Sequence, residues 1–386
     1  MYDFANSGYT TVVLTAIFSA YFVSVVAGSG DLPAGAATTL WTVAVAIGNA
    51  IVLFSGPVVG AIADRRAAKK RFLAVTTVIC VIATALLSSA GPSDVALAMT
   101  LVVVSFVMFA SGENLISAFL PEIAPSGRMG RLSGYAWSLG YLGGLLTLGT
   151  CLGYITWAQG RGLGAADYVP VTLWITAAIF ALASTPVFLW LQERAVPTPL
   201  PQGQSYVRTA FAEVRRTLGE ARHFKDLFRF LLCLVVFQAG VSTVFVVAAI
   251  YAEQEMGFTT DALVVLIMVV NVTAAVGAFA MGHIQDRFGS VAALALALVV
   301  WILGLALILL AEDRAGVWLA ANLIGLAMGS CQASGRALIG HFTPVARTAE
   351  FFGLWGLAIH LAAIIGPLSY GLISFWSGGN QRLALL

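Results

Sequence analysis

Gly60-Ala-Ile-Ala-Asp64-Arg65 returns 222 positions later as Gly282-His-Ile-Gln-Asp286-Arg287, and each copy sits between two long apolar runs. One Gly-x-x-x-Asp-Arg string can arise by chance. Two copies at equivalent points of two hydrophobic halves point to an internal duplication. Asn49 and Asn271 share the same spacing, and Glu113/Gln332, Pro125/Pro344, Arg128/Arg347 and Gly134/Gly353 recur at 219. Near the start, Asn6-Ser-Gly-Tyr-Thr-Thr11 resembles Gln238-Ala-Gly-Val-Ser-Thr243. Modest differences in loop length account for the drift.

The apolar runs around the repeat define the fold class. Hydrophobic residues make up 60% of the chain and charged residues 10%, with a mean hydropathy of +0.93. A soluble domain cannot bury that much apolar surface. The sequence divides into about eleven apolar runs, most long enough to cross a ~30 Å hydrocarbon layer as α-helix. The predicted spans end at 28 and then cover 38–63, 72–90, 95–120, 132–157, 170–191, 228–251, 260–285, 290–311, 316–340 and 349–376. Turn or charged residues separate them, as in Asp31-Leu-Pro33, Gly91-Pro-Ser-Asp94 and Glu312-Asp-Arg314. The alternating ten-residue segments of an outer-membrane barrel are absent. The expectation is an all-α membrane protein of two six-helix bundles related by a parallel repeat, one of the recurring layouts of secondary transporters.

The expected organisation is an N-terminal bundle over 1–191, a linker over 192–227 and a C-terminal bundle over 228–386. The linker opens with Val196-Pro-Thr-Pro-Leu-Pro201. Beyond it, Val207, Phe211, Val214 and Leu218 recur at helical spacing beside Arg208, Arg215, Arg216 and Arg222. That pattern reads as a basic amphipathic helix on the membrane face, and a nucleic-acid partner is not expected. The second half shows only five spans, and Gly379-Asn-Gln-Arg-Leu-Ala-Leu-Leu386 stops where a twelfth would begin. Only five residues precede Asn6, whereas Gln238 lies about ten residues into its predicted helix. The chain is therefore expected to lack several N-terminal residues and most of the last helix, an authentic eleven-helix protein being the alternative.

Charge distribution sets the expected orientation. Taking the loops alternately, 17 of the 20 Lys and Arg residues fall on one side, and only Arg161, Arg314 and Arg382 fall opposite. Positive-inside bias then puts the 60–71, 121–131, linker, 286–290 and 336–348 segments in the cytoplasm, together with the N-terminus. The setting expected is an inner or plasma membrane. Cys80, Cys151, Cys233 and Cys331 all lie in predicted helices and read as free thiols, with no zinc spacing. The first span has no basic leader and carries Asp3 and Asn6, so it is not read as a cleaved signal.

The duplicated Gly-x-x-x-Asp-Arg resembles the signature of the major facilitator superfamily. Within it, Tyr2-Asp-Phe-Ala-Asn-Ser7, Leu120-Pro-Glu-Ile-Ala124, Gly134-Tyr-Ala-Trp-Ser-Leu-Gly-Tyr141 and Glu350-Phe-Phe-Gly353 resemble the vacuole-effluxer family. That family comprises autophagy-related vacuolar amino-acid exporters and their bacterial relatives. The resemblance spans nearly the whole chain and implies alternating access between two bundles. It also implies that Asp64 meets the start of the eleventh span near Thr348, and Asp286 the start of the fifth near Arg131. A carboxylate at a helix N-terminus is favourable by ~0.3–1 kcal/mol. Gly60, Asp64, Arg65, Gly282, Asp286 and Arg287 are thus the expected gating motif, the alternative being that Arg65 and Arg287 only set topology. Ala67 departs from the pattern, which has Gly there, as at Gly289.

Ionisable groups at membrane depth cost roughly 2.5–3.5 kcal/mol on insertion and are functional candidates by default. Glu113, ~10 Å along the helix from its basic end, is either a proton-titrating or cation-binding carboxylate or a structural partner of Arg336. The superfamily resemblance implies that Asp3 and Asn6, on the first helix, line the central cavity; the alternative for Asp3 is a helix-start cap. Asn114, Gln238, Gln332 and Arg336 lie on helices that are central in the superfamily arrangement, so the resemblance implies that they complete the substrate cavity. Gln332 and Arg336 share one helix face, where Arg336 could neutralise a solute carboxylate or snorkel to the interface. His360 is the second proton-coupling candidate, against a plain core histidine. Asn49 and Asn271 are read as interhelical hydrogen-bonders, and Trp137 and Trp355 as aromatic-belt anchors. No Gly-x-x-x-x-Gly-Lys-Ser/Thr or metal-spaced cluster appears, so no enzyme activity, cofactor or metal is expected.

The sequence therefore predicts a monomeric secondary transporter in a lipid bilayer, exporting amino acids or related small solutes by symport or antiport with protons. A non-transporting receptor or scaffold and a lipid scramblase stay open as alternatives.

Overall fold

The computed structural model describes residues 1–28, 36–125, 127–198, 205–219, 225–254, 260–311 and 313–376. The Asp31-Leu-Pro33 turn, the end of the Pro-rich segment, Arg222 and the 379–386 tail lie outside them. Every regular element among the described residues is helical. The helices are α1 (Tyr2–Val26), α2 (Ala36–Arg66), α3 (Lys69–Leu86), α4 (Val95–Ser117), α5 (Met129–Gln159), α6 (Ala165–Trp190), α7 (Tyr206–Gly219), α8 (Lys225–Gln254), α9 (Thr260–Phe288), α10 (Ser290–Leu310), α11 (Arg314–Phe342) and α12 (Thr348–Trp376). Eleven of the twelve carry stretches long and apolar enough to cross a membrane, and α7 is the linker helix. Helices α8 to α12 are therefore the seventh to eleventh spans.

Small residues decide how closely the helices meet. α1 packs on α5 where Gly140, Gly143 and Gly144 face Asp3, Phe4, Ser7 and Thr11. Within the second half, Gly277 of α9 meets the Leu326 backbone of α11. Such contacts let backbones approach where a lipid-like environment gives no hydrophobic drive for association. α1 is also locally unwound. Ile17 N–H donates to the Val12 carbonyl (3.0 Å) and Ala27 N–H to that of Phe22 (2.8 Å), both five residues back. These are π-helical turns, which often accompany functional sites.

The halves meet along α2–α12 and α5–α9, and the two seams repeat one another. Gly60 lies against the Ala349 carbonyl, and Gly282 against that of Gly130, where a Cβ would come within 2.7 Å. One helical turn deeper, Gly353 abuts Gly56 and Pro57, and Gly134 abuts Ala278 and Gly282. At the offsets of 222 and 219, Gly60–Ala349 maps onto Gly282–Gly130, and Gly56–Gly353 onto Ala278–Gly134. The seams tie the bundle together at the end that carries the basic loops.

α7 lies across this end. Ala210 and Val214 pack on Val58, Ala61 and Ile62 of α2. Arg65 forms an ion pair with Glu213, and Thr217 donates to Glu350 of α12 (2.5 Å) and meets Arg347. The linker helix thus touches both halves. Its contact face is not the full apolar stripe read from the sequence, because Val207 and Phe211 are exposed.

Candidate functional site

Arg336 of α11 and Asp3 of α1 form an ion pair at 2.7 Å, with both side chains largely buried. Ser133 of α5 holds the guanidinium in place. Arg336 Nε donates to Ser133 Oγ (3.2 Å) and Nη2 to the Ser133 carbonyl (3.1 Å), while Ser133 Oγ donates to the Ala333 carbonyl (2.7 Å). The cation also sits 5.2 Å from the centre of the Trp137 ring. A buried, fully engaged Arg336 does not snorkel to the interface. Trp137 accordingly belongs to this cluster and not to an interfacial belt. Trp355 is likewise a core residue, 2% exposed. Trp137 turns toward Arg336 of the opposite half, and Trp355 packs edge-on against Phe352 in the core.

Glu113 of α4 is within electrostatic reach of both Asp3 and Arg336. It forms no hydrogen bond or ion pair with another described residue. The ion pair with Arg336 is made by Asp3, not by Glu113. Beside Glu113, Gly112 makes room for the Tyr2 hydroxyl, which bonds Thr77 Oγ1 at 2.8 Å. Asn114 lies against Gly356 of α12, its Nδ2 buried and without a partner, and Asn6 Oδ1 is buried in the same condition. Gln238 is buried and Gln332 half-buried, and no hydrogen bond joins either to the Asp3–Arg336 pair.

At the basic end, each repeated aspartate reaches across to the other half. Asp64 Oδ2 accepts from Glu350 N–H (2.9 Å) and Oδ1 from the Thr348 hydroxyl (3.4 Å), at the start of α12. Asp286 accepts from Gly130 N–H (2.8 Å) and Arg131 N–H (3.1 Å), at the start of α5, with Arg131 Nε 3.4 Å away. The orphan amides of two helix starts are satisfied by carboxylates from the opposite half. Arg65 pairs with Glu213, whereas Arg287 is placed over the neighbouring Phe288 ring, 5.4 Å from its centre.

Lys69 is the residue that sequence reasoning missed. Treated above as a loop charge, it is fully buried. Its ammonium pairs with Glu122 and lies 2.6 Å from Thr348 Oγ1 and 3.5 Å from Asp64 Oδ1. Glu122 stood in the Leu120–Ala124 string but carried no assigned role. The available signal was Lys69's place five residues after Asp64, in a motif whose second copy has only Val291 there.

His360 of α12 bonds Asn49 of α2 at 2.7 Å between Nδ1 and Oδ1. Asn49 Nδ2 donates to the Val45 carbonyl (2.9 Å), which leaves Oδ1 as acceptor. His360 is therefore the Nδ1–H tautomer, with Nε2 unprotonated in the neutral ring. Among the described residues, Asn271 instead bonds only its own helix, at Ile267.

The family model described as "Vacuole effluxer Atg22 like" matches residues 34–386. The MFS-type transporter YxiO of Bacillus subtilis is 28% identical over 99% of this chain and 88% of its own length. Autophagy-related protein 22 of Coccidioides immitis is 25% identical over 53% of this chain and 38% of its own. Among solved structures, the human organic anion transporter MFSD10 superposes with a TM-score of 0.75 at 15% identity, covering 100% of this chain and 94% of that one. FucP in the outward conformation gives 0.72 at 15%, over 100% and 92%. At such identities the two structures share the fold alone. Duplicated helices, cross-half latches and the family match agree: the chain is a multi-pass membrane protein, not an enzyme, and belongs to the Atg22-like vacuole effluxer family of major facilitator superfamily transporters.

Proposed function

We propose that the protein exports an amino acid or related zwitterionic metabolite by alternating access, with protons as the coupling ion and Glu113 as their carrier. The observation that carries this reading is the Asp3–Arg336 pair. It joins α1 of one half to α11 of the other, and Glu113 is left beside it without a partner. A solute carboxylate can compete for the Arg336 fork, its ammonium for Asp3 and Glu113, and the unpartnered Asn6 and Asn114 amides supply neutral contacts. The family resemblance supports amino acids as the solute class.

The basic end is the cytoplasmic end in this reading, with the N-terminus inside a bacterial plasma membrane, because Lys and Arg concentrate there. The Asp64 and Asp286 latches, with Gly60, Gly282, Arg65 and Arg287, are then the gate, and the conformation described is closed to the cytoplasm.

Flux into proteoliposomes tests the proposal, with a panel of amino acids and an imposed pH gradient. Glu113→Gln should keep solute-induced thermal stabilisation and lose gradient-driven accumulation. Full coupling in that variant refutes the proton role, and stabilisation without flux in the parent protein makes it a receptor.

A further inference from the structure

A cavity of about 470 Å³ opens at the basic end of α2 and α3, away from the central cluster. Three arginines border it, Arg65, Arg66 and Arg71, together with Thr198 and Tyr206 from the linker. We infer that it is a binding site for an anionic glycerophospholipid, whose phosphate seats between Arg66 and Arg71 and whose acyl chain runs down α3.

The charge is available. Arg65 is neutralised by Glu213, although its Nε is buried without a partner. Arg66 and Arg71 are exposed and pair with no carboxylate among the described residues. The Arg66 guanidinium stacks 4.0 Å from the centre of the Tyr206 ring, which fixes its plane and leaves its edge for a bidentate contact. The helix start itself is already occupied, because Glu193 accepts from the Lys69 and Lys70 amides (2.7 and 3.2 Å). The ligand is therefore left to the side chains.

The apolar half of the site identifies the ligand as a lipid and not a soluble anion. Ala68, Phe72 and Val75 line the cavity. Below Val75 the exposed stripe of α3 continues through Val78, Ile79, Ile82 and Leu86, about 16 Å of helix, facing the hydrocarbon layer. Basic pockets at this level of a membrane protein suit anionic headgroups. Thr198 N–H donates to the Arg65 carbonyl (2.9 Å), so a bound lipid would also fasten the linker to α2.

The test uses the full chain in phosphatidylcholine nanodiscs with and without phosphatidylglycerol, read by thermal midpoint and by lipid retained in native mass spectrometry. Phosphatidylglycerol should raise the midpoint and stay bound. The double variant Arg66→Gln/Arg71→Gln should bind it roughly tenfold less tightly or worse, with its midpoint in pure phosphatidylcholine unchanged. Tyr206→Leu removes the stacking plane without altering a charge, and should weaken the same response even if the double variant does not fold. An undiminished phosphatidylglycerol response in the variants overturns the site. So does an equal rise from inorganic phosphate in phosphatidylcholine discs.

Discussion

Asp3 and Arg336 are separated by 333 positions in sequence and by 2.7 Å in space, and they join the first helix of the N-terminal half to the fourth of the other. Removing one member of a buried pair strands the other and costs about 3–5 kcal/mol. Arg336→Gln should therefore lower the thermal midpoint strongly and abolish transport. The double variant Asp3→Asn/Arg336→Gln should be less destabilised than the sum of the single changes, which a double-mutant cycle of unfolding measures. Additive losses would show that the two do not interact.

Gly60 and Gly282 have no room for a Cβ against the opposing backbones. Gly60→Ala and Gly282→Ala should each push the halves apart at the basic end. Spin labels at the exposed positions Arg128 and Ala346 would report this as a longer distance population. An unchanged distance distribution would remove the steric role.

Ala67 adopts φ +47°, the left-handed region in which Gly289 also sits at +92°. A non-glycine residue there is strained by roughly 1–2 kcal/mol, partly returned through the unfolded chain when Gly replaces it. Ala67→Gly should stabilise the protein by about 1 kcal/mol and leave solute flux unaltered. Thermal unfolding in detergent checks it.

The Asn49–His360 bond spans the α2–α12 seam. Asn49→Ala and His360→Ala should each lose about 1 kcal/mol, with little added by the second change. Nitrogen NMR of labelled histidine should show a protonated Nδ1 in the neutral ring. A protonated Nε2 would contradict the geometry.

Hydropathy made the spans legible, because an apolar run of that length has few alternatives to a membrane helix. The partners of the repeated aspartates were expected from the family resemblance, and the amides at the starts of α12 and α5 are where the structure places them. Lys69 was not legible. Its three partners, Asp64, Glu122 and Thr348, lie up to 279 positions from it, and nothing local distinguishes a buried lysine from a topogenic one. Trp137 was misplaced for a related reason. Depth along a helix can be read from sequence, but the side it faces depends on which helix packs there. Ser133, which orients Arg336, carried no signal beyond its neighbourhood to Gly134.

The two aspartate latches are related as the two halves are, each half offering one acid and one helix start. A polypeptide cut within the segment between them would carry, on each fragment, a carboxylate without its amides and a helix start without its anion. Those are complementary ends, so separately made fragments carry the instructions for their own reunion. In the intact chain each half both gives an acid and holds one, so a separation of the halves at this end would break both contacts together.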